Sequence, residues 1–158
     1  MRRAVGGAFD HLEATDEAPI FPVQAPDGRK DLTELARQSW VVSYMRRTQP
    51  HIVCYATPNA AKRGFKAQRQ AKQEGLMAGV FDLTFAWDVA HAADDRPTVC
   101  WAEMKGYDAR GTAGKLSQPQ IDWGNRMARN GHAVACFFSA QSVIDWLVSL
   151  GAPVMGKV

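Results

Sequence analysis

The chain lacks long apolar runs, low-complexity tracts and clustered cysteines. No stretch approaches the roughly 20 apolar residues needed to cross a bilayer, and the N-terminus carries no export signal. We therefore expect a cytoplasmic protein with no membrane partner. The three cysteines, Cys54, Cys100 and Cys136, are far apart in the sequence. This scatter predicts buried free thiols and argues against a structural zinc site.

A chain of 158 residues is long enough for one domain with its own hydrophobic core. Residues 1–30 contain paired glycines and several prolines with little hydrophobic periodicity, which predicts an irregular N-terminal extension. The folded domain is then expected over residues 31–158.

Hydrophobic periodicity in the folded domain predicts the element order α-β-α-β-β-α-β-α. We expect helices over residues 31–49, 60–74, 118–129 and 141–150, and strands over residues 51–56, 80–87, 98–105 and 133–138. The second and third strands are expected to pair as a hairpin. This order indicates an α/β fold in which helices flank a mixed central sheet.

Local signals predict where two of these helices begin. Asp31 is the expected N-cap of the first helix, with Glu34 three residues later as in a capping box. Ser117 is expected to cap the helix that starts at Gln118, and Asn130 with the following glycine should end it.

The third predicted strand carries the residues that point to chemistry. Side chains alternate along a strand, so Glu103 and Lys105 face the same side. Asp82 lies at the start of the neighbouring strand, and pairing would bring its carboxylate near Glu103. Two adjacent carboxylates repel each other unless a cation joins them, and Mg²⁺ takes such ligands. Spacing alone also fits an exposed acid pair beside a surface lysine.

A longer ordered set of residues surrounds these three: Thr57-Pro58-Asn59, Arg63, Gly75, Gly79, Asp82-Leu83, Glu103-X-Lys105, Leu116-Ser117, Gln120 and Gly131. In this combination the chain resembles the VRR-NUC family of the PD-(D/E)XK nuclease superfamily, over about residues 31–150. The resemblance implies a restriction-endonuclease-like core and a metal-dependent endonuclease. It further implies Mg²⁺, with Mn²⁺ as a substitute, and a homodimer that cuts branched or junction DNA.

The resemblance also assigns roles to single positions. It implies metal binding by Asp82, Glu103 and the backbone carbonyl of Met104. Lys105 corresponds to the catalytic lysine, which orients water or stabilises developing negative charge. Gln120 corresponds to a helix glutamine that contacts the scissile region or supports the lysine.

Two positions leave their interpretation open. Glu34 either completes the metal site from the first helix or serves only as the capping-box acid. Phe81 stands where the family has proline before the metal-binding aspartate, so the local strand geometry is expected to differ.

Basic residues indicate where a nucleic acid would bind. The expected phosphate contacts are Asn59 in the turn before the second helix, Lys62, Arg63, Lys66 and Arg69 on that helix, and Arg110 and Lys115 after the third strand. A solvated helix face would show the same charge pattern. The alternative functions are a catalytically silent nucleic-acid binding module with a nuclease fold, and an accessory subunit of a repair or replication complex.

Overall fold

The computed structural model describes residues 16–57, 70, 73–88 and 96–156. These ranges contain three helices and four strands, which we number in chain order. They are α1 (Glu34–Thr48), β1 (Val53–Ala56), β2 (Leu83–Ala86), β3 (Val99–Met104), α2 (Gln118–Arg129), β4 (Ala133–Phe137) and α3 (Ala140–Ser149). Within these ranges no helix has the length and apolar character to span a bilayer.

The strands form one mixed sheet in the order β1-β2-β3-β4. β1 pairs antiparallel with β2, β2 pairs antiparallel with β3, and β3 pairs parallel with β4. The predicted hairpin and the α/β class with a mixed sheet are therefore confirmed. The predicted basic helix over residues 60–74 lies almost entirely outside the described residues.

The two faces of β3 belong to different hydrophobic clusters. One face joins the larger cluster, which holds buried residues of α1 and α3; its members from β3 are Cys100, Ala102 and Met104. Trp101 packs instead against the second cluster, which consists of Phe21, Phe81, Val134 and Cys136. α2 also packs on this side, through Trp123 and Met127. Alternation along the strand places Glu103 on the Trp101 side.

The segment before α1, which we call the arm (residues 16–32), runs along the edge of β4. Val23 forms a parallel bridge with Cys136, and the Gln24 N–H donates to the Cys136 carbonyl at 2.9 Å. Phe21 is buried in the second cluster. The arm thus occupies hydrogen-bonding groups at a sheet edge that would otherwise be open to pairing with another chain.

A buried asparagine fastens the arm to α2. Asn125 is fully buried, and its Oδ1 accepts from the Ile20 N–H at 2.9 Å while its Nδ2 donates to the Ala18 carbonyl at 3.0 Å. One turn further along α2, Arg129 pairs with Glu17 at 2.6 Å. Because the amide satisfies two arm backbone groups, the arm docks without leaving these polar atoms unpaired.

The start of α1 differs from the prediction. Thr33, not Asp31, is the N-cap, and its Oγ1 accepts from the Ala36 N–H at 3.2 Å. Asp31 instead lies 3.5 Å from Arg29. Glu34 is therefore the first helical residue and cannot reach back as a capping-box acid, so that interpretation of Glu34 is wrong.

The described strands are shorter than the sequence predicted, while α2 begins and ends where expected. β2 starts at Leu83, not at residue 80, so Asp82 lies just before the strand. Phe81, just before Asp82, is fully buried in the second cluster. Ser117 is the N-cap of α2, as predicted.

The contact between Gly124 and Phe21 predicts opposite effects of one mutation in two backgrounds. A Cβ at Gly124 would lie 2.3 Å from Phe21 Cε1, so Gly124→Ala should displace the ring and lower the free energy of unfolding by about 2 kcal/mol. In a Phe21→Ala background the clash disappears. The same change should then be neutral or stabilise by up to about 1 kcal/mol through helix propensity.

Urea unfolding of the four proteins in this double-mutant cycle measures the coupling between the two positions. Equal effects of Gly124→Ala in both backgrounds would show that Phe21 does not pack in this notch.

Candidate active site

Asp82 and Glu103 lie side by side where β2 begins and β3 ends. The strand register places Leu83 opposite Ala102, which brings residues 82 and 103 side by side. The Asp82 N–H donates to Glu103 Oε2 at 3.2 Å, and the Met104 N–H donates to Asp82 Oδ2 at 3.2 Å. Both carboxylates are buried. The two acids therefore lie close together, as the sequence predicted.

Lys105 supplies the positive charge beside these acids. Its Nζ donates to Glu103 Oε1 at 2.7 Å and lies 3.7 Å from Glu34 Oε2. The Lys105 side chain is only 8% exposed, whereas the Glu34 side chain is 48% exposed. Glu34 therefore faces the acid–lysine group from α1, in agreement with the interpretation that places it at the site.

Gln120 reaches the same group from the first turn of α2. Its Oε1 accepts from the Ser117 N–H at 2.9 Å, which fixes the orientation of the amide. The Nε2 then donates to Glu103 Oε1. Gln120 thus holds the carboxylate of Glu103, whereas the sequence interpretation had it contact the scissile region or support the lysine.

Two glycines allow the backbone segments of the site to approach closely. A Cβ at Gly106 would lie 2.2 Å from the Glu34 backbone nitrogen, so this glycine lets α1 start next to the end of β3. Gly79 has φ +81°, and a Cβ there would lie 2.0 Å from the Pro119 carbonyl oxygen. It thereby brings the segment that leads to Asp82 against the start of α2.

Phe81 anchors the backbone next to Asp82. Its ring centroid lies 5.4 Å from that of Phe21 in an edge-on arrangement and 4.9 Å from that of Trp123. Burial of this large apolar side chain thus fixes the backbone at this position. Asp82 reaches Glu103 with Phe81 preceding it.

Burial and charge shift the pKa values of the three central groups. Burial, followed by repulsion from Asp82, raises the pKa of Glu103 to about 7. Burial also raises the pKa of Asp82, against the opposing hydrogen bond from the Met104 N–H. Burial acts to lower the pKa of Lys105, but attraction to Glu103 and the other acids outweighs it and raises this pKa. Three carboxylates against one ammonium leave an excess of negative charge.

Asp82 and Glu34 line a cleft of about 660 Å³. The residues that give it a polar wall are Thr33, Glu34, Gln38, Thr57, Asp82, Tyr107, Asp108 and Thr112. Asp108 and Thr112 have no motif in the sequence and were not predicted; Asp108 shapes the loop by accepting from the Arg110 and Thr112 N–H groups at 2.9 and 2.8 Å. Among its described lining residues there is no lysine or arginine, so the wall carries negative charge.

The remaining predicted contacts are not brought to the acids. Arg110 and Lys115 are exposed on the loop between β3 and α2, and neither lines the cleft. The other predicted phosphate contacts lie outside the described residues; they are Asn59, Lys62, Arg63, Lys66 and Arg69.

The donor atoms suit a hard divalent cation. Among residues 16–57, 70, 73–88 and 96–156, no group of three or more histidine, cysteine, aspartate and glutamate side chains is arranged to hold a metal. A magnesium ion does not require such a group, since one or two carboxylates and several waters commonly hold it. Buried acids with raised pKa values and excess negative charge fit such an ion.

The raised pKa of Glu103 predicts how stability depends on pH without divalent metal. Between pH 4.5 and about 7 the folded protein holds a proton that the unfolded chain has lost, so stability falls as the pH rises through this window. Wild type should lose up to about 3 kcal/mol relative to Glu103→Gln between pH 5 and pH 8. Urea unfolding in EDTA measures this difference, and parallel pH profiles of the two proteins would contradict the raised pKa.

Comparison with known proteins found no match, so the site is interpreted from its own geometry. The site contains two acids connected by a hydrogen bond, a buried lysine and a glutamine that donates to one of the acids. No protein-family model matches the chain, and no curated protein or solved structure is significantly similar to it.

Proposed function

We propose that the protein is a metal-dependent endonuclease that hydrolyses DNA phosphodiester bonds on a PD-(D/E)XK-type core. The observation that carries the proposal is the buried group of Asp82, Glu103 and Lys105 beside a cleft that Asp82 lines. The ordered motifs that resemble the VRR-NUC family support it, because three of those positions, with Gln120, meet at this one point.

Asp82 and Glu103 are the residues that would hold Mg²⁺, or Mn²⁺ as a substitute. The Met104 carbonyl and Glu34 are further oxygen donors next to them. When bound, such an ion lowers the pKa of a coordinated water and offsets the negative charge of the phosphate. A cation is also needed for a phosphate to enter a cleft whose described wall is acidic.

Lys105 acts in this site as a positive charge. Its raised pKa keeps the ammonium protonated at neutral pH, so it cannot serve as a general base. It instead holds Glu103 in place and stabilises negative charge that develops on the phosphate. Lys105 contacts Glu103 and Glu34, as expected for an ammonium group in a region with excess negative charge.

Gln120 and Ser117 position one acid. The Ser117 N–H fixes the amide oxygen of Gln120, and the amide nitrogen then donates to Glu103. This chain of hydrogen bonds holds the carboxylate in one rotamer without adding charge, which lowers the cost of arranging it for a ligand.

The resemblance extends the proposal to branched or junction DNA cut by a homodimer. A two-fold dimer would present one cleft to each of two strands. Arg110 and Lys115 are exposed on the loop between β3 and α2, and they could then meet backbone phosphates outside the cleft.

The burial of Glu103 and Lys105 favours a second candidate function. Neither residue lines the cleft, and their ion pair is satisfied within the protein. A binding module that keeps this group only as an internal ion pair would bind DNA in a salt-dependent manner without cutting it.

Substitution of the central residues tests the nuclease proposal. Asp82→Asn and Lys105→Met should each lower the rate of DNA cleavage with Mg²⁺ by at least about 100-fold, since the first removes a metal ligand and the second a positive charge that stabilises the phosphate. The control is Asp145→Asn, which alters an exposed acid on α3 that is bonded to Gln141. Rates are measured on branched and linear duplexes. Undiminished cutting by both variants would refute the assignment, and binding without cutting by wild type would favour the second candidate.

Metal binding can be measured independently of activity. Mg²⁺ or Mn²⁺ at a hundredfold excess over Kd should raise the free energy of unfolding by about 2.7 kcal/mol. The increase should be larger at pH 8 than at pH 6, because protons compete for Glu103 at the lower pH. Asp82→Asn should abolish the effect and Asp145→Asn should retain it. Equal stabilisation of both variants would place the metal elsewhere.

A further inference from the structure

A second cavity, of about 430 Å³, lies between α1 and the start of α3. α1 separates it from the acidic cleft. Gln38 lines the cleft, whereas Ala36 and Trp40 line this second cavity. Gln38 and Trp40 are two residues apart, which is about 200° around the helix, so they face opposite ways. We call this space the α1–α3 cavity.

The wall of the α1–α3 cavity carries an exposed aromatic ring. Trp40 is 45% exposed although it belongs to a helix that packs on the core. Its ring stacks on that of Tyr44, with centroids 5.2 Å apart and planes 6° from parallel. The stack holds the indole in one orientation, so a planar ligand would lose little additional side-chain freedom on binding. Leu32 and Ala36 add apolar surface.

The floor of the cavity is rigid and electrically neutral. Arg37 is 3% exposed and donates to Asp27 at 2.6 and 3.1 Å. It also donates to the backbone carbonyls of Arg29 and Leu32 at 2.9 and 3.2 Å. These bonds fix residues 27–32 against α1 and leave no unpaired charge at the bottom.

The rim of the cavity carries an accessible cation. The Arg29 side chain is 65% exposed, and its contact with Asp31 is a 3.5 Å surface pair. Such pairs contribute little, so the guanidinium can exchange this partner for a phosphate. A ligand with a planar ring against Trp40 and an anionic group at Arg29 would resemble a nucleotide, which combines a base with a phosphate.

We infer that the α1–α3 cavity binds an unpaired nucleotide of a single-stranded nucleic-acid segment, with the base against Trp40 and a phosphate at Arg29. Stacking on an aromatic side chain accepts every base, so the cavity would not read sequence. The choice of a nucleic acid as ligand rests on the proposed nuclease function. A strand that leaves the cleft would cross α1, whose diameter with side chains is about 10 Å, to reach the cavity.

Binding of a fluorescent single-stranded oligothymidine tests the inference. Fluorescence anisotropy is measured in EDTA with the full chain, so that no strand is cut. Trp40→Ala should weaken binding about tenfold, the effect expected from loss of one base–aromatic stack. Trp40→Phe keeps an aromatic ring and should recover most of the affinity. Val148→Ala, which removes an exposed apolar side chain elsewhere on α3, should bind like wild type.

Arg29→Gln adds a test of the phosphate contact. It should weaken binding and reduce the slope of affinity against salt concentration, because one fewer counterion is released. Equal affinity of wild type, Trp40→Ala and Trp40→Phe would overturn the inference. It would also be overturned if Trp40→Ala weakened blunt duplex binding as strongly, or if it changed only a monomer–dimer equilibrium.

The outcome can be separated from that of the nuclease proposal. Trp40-dependent binding of the oligothymidine without any metal-dependent cleavage would refute the nuclease proposal and leave this site standing. Cleavage that requires Asp82, together with oligothymidine binding that does not respond to Trp40, would refute this site alone.

Discussion

The site depends on burying more negative charge than positive charge in one small region. Asp82 and Glu103 each use the backbone N–H groups of the β2–β3 junction, and a single ammonium group, that of Lys105, faces them. Removing carboxylates from water is costly unless hydrogen bonds and opposite charge offset the loss of hydration. The offset here is incomplete, which is why the pKa values of both acids are raised. An incomplete offset is what makes the region a candidate for an additional cation.

The surrounding scaffold serves to keep these groups together. Because Gly106 has no side chain, α1 can start next to the end of β3. Gly79 likewise lets the segment before Asp82 approach the start of α2. Phe81 fixes the backbone beside Asp82 by burial, and the arm contributes Phe21 to the same cluster. The hydrophobic packing of the arm and α2 therefore bears on the geometry of the acids, although neither Phe21 nor Phe81 lines the cleft.

α1 connects the two surfaces to which we assign binding. Its first turn carries Glu34 to the acidic cleft, and its opposite side carries Trp40 to the α1–α3 cavity. The Asp27–Arg37 pair locks the chain that leads into the helix. One rigid element thus sets the distance between the two proposed binding surfaces.

The sequence by itself determined the α/β class, the β2–β3 hairpin, the extent of α2 and the shared side of Glu103 and Lys105. These follow from local periodicity and capping, which depend on near neighbours in the chain. It could not place Gln120 on Glu103, choose Thr33 over Asp31 as the cap, or distinguish the exposed Trp40 from a core tryptophan. Those outcomes depend on how distant segments pack: Gly106 against Glu34, Gly79 against Pro119, and the arm against α2. The identities of the acids were therefore readable in the sequence, whereas the charge imbalance that makes them a candidate site arises only when tertiary packing buries them together.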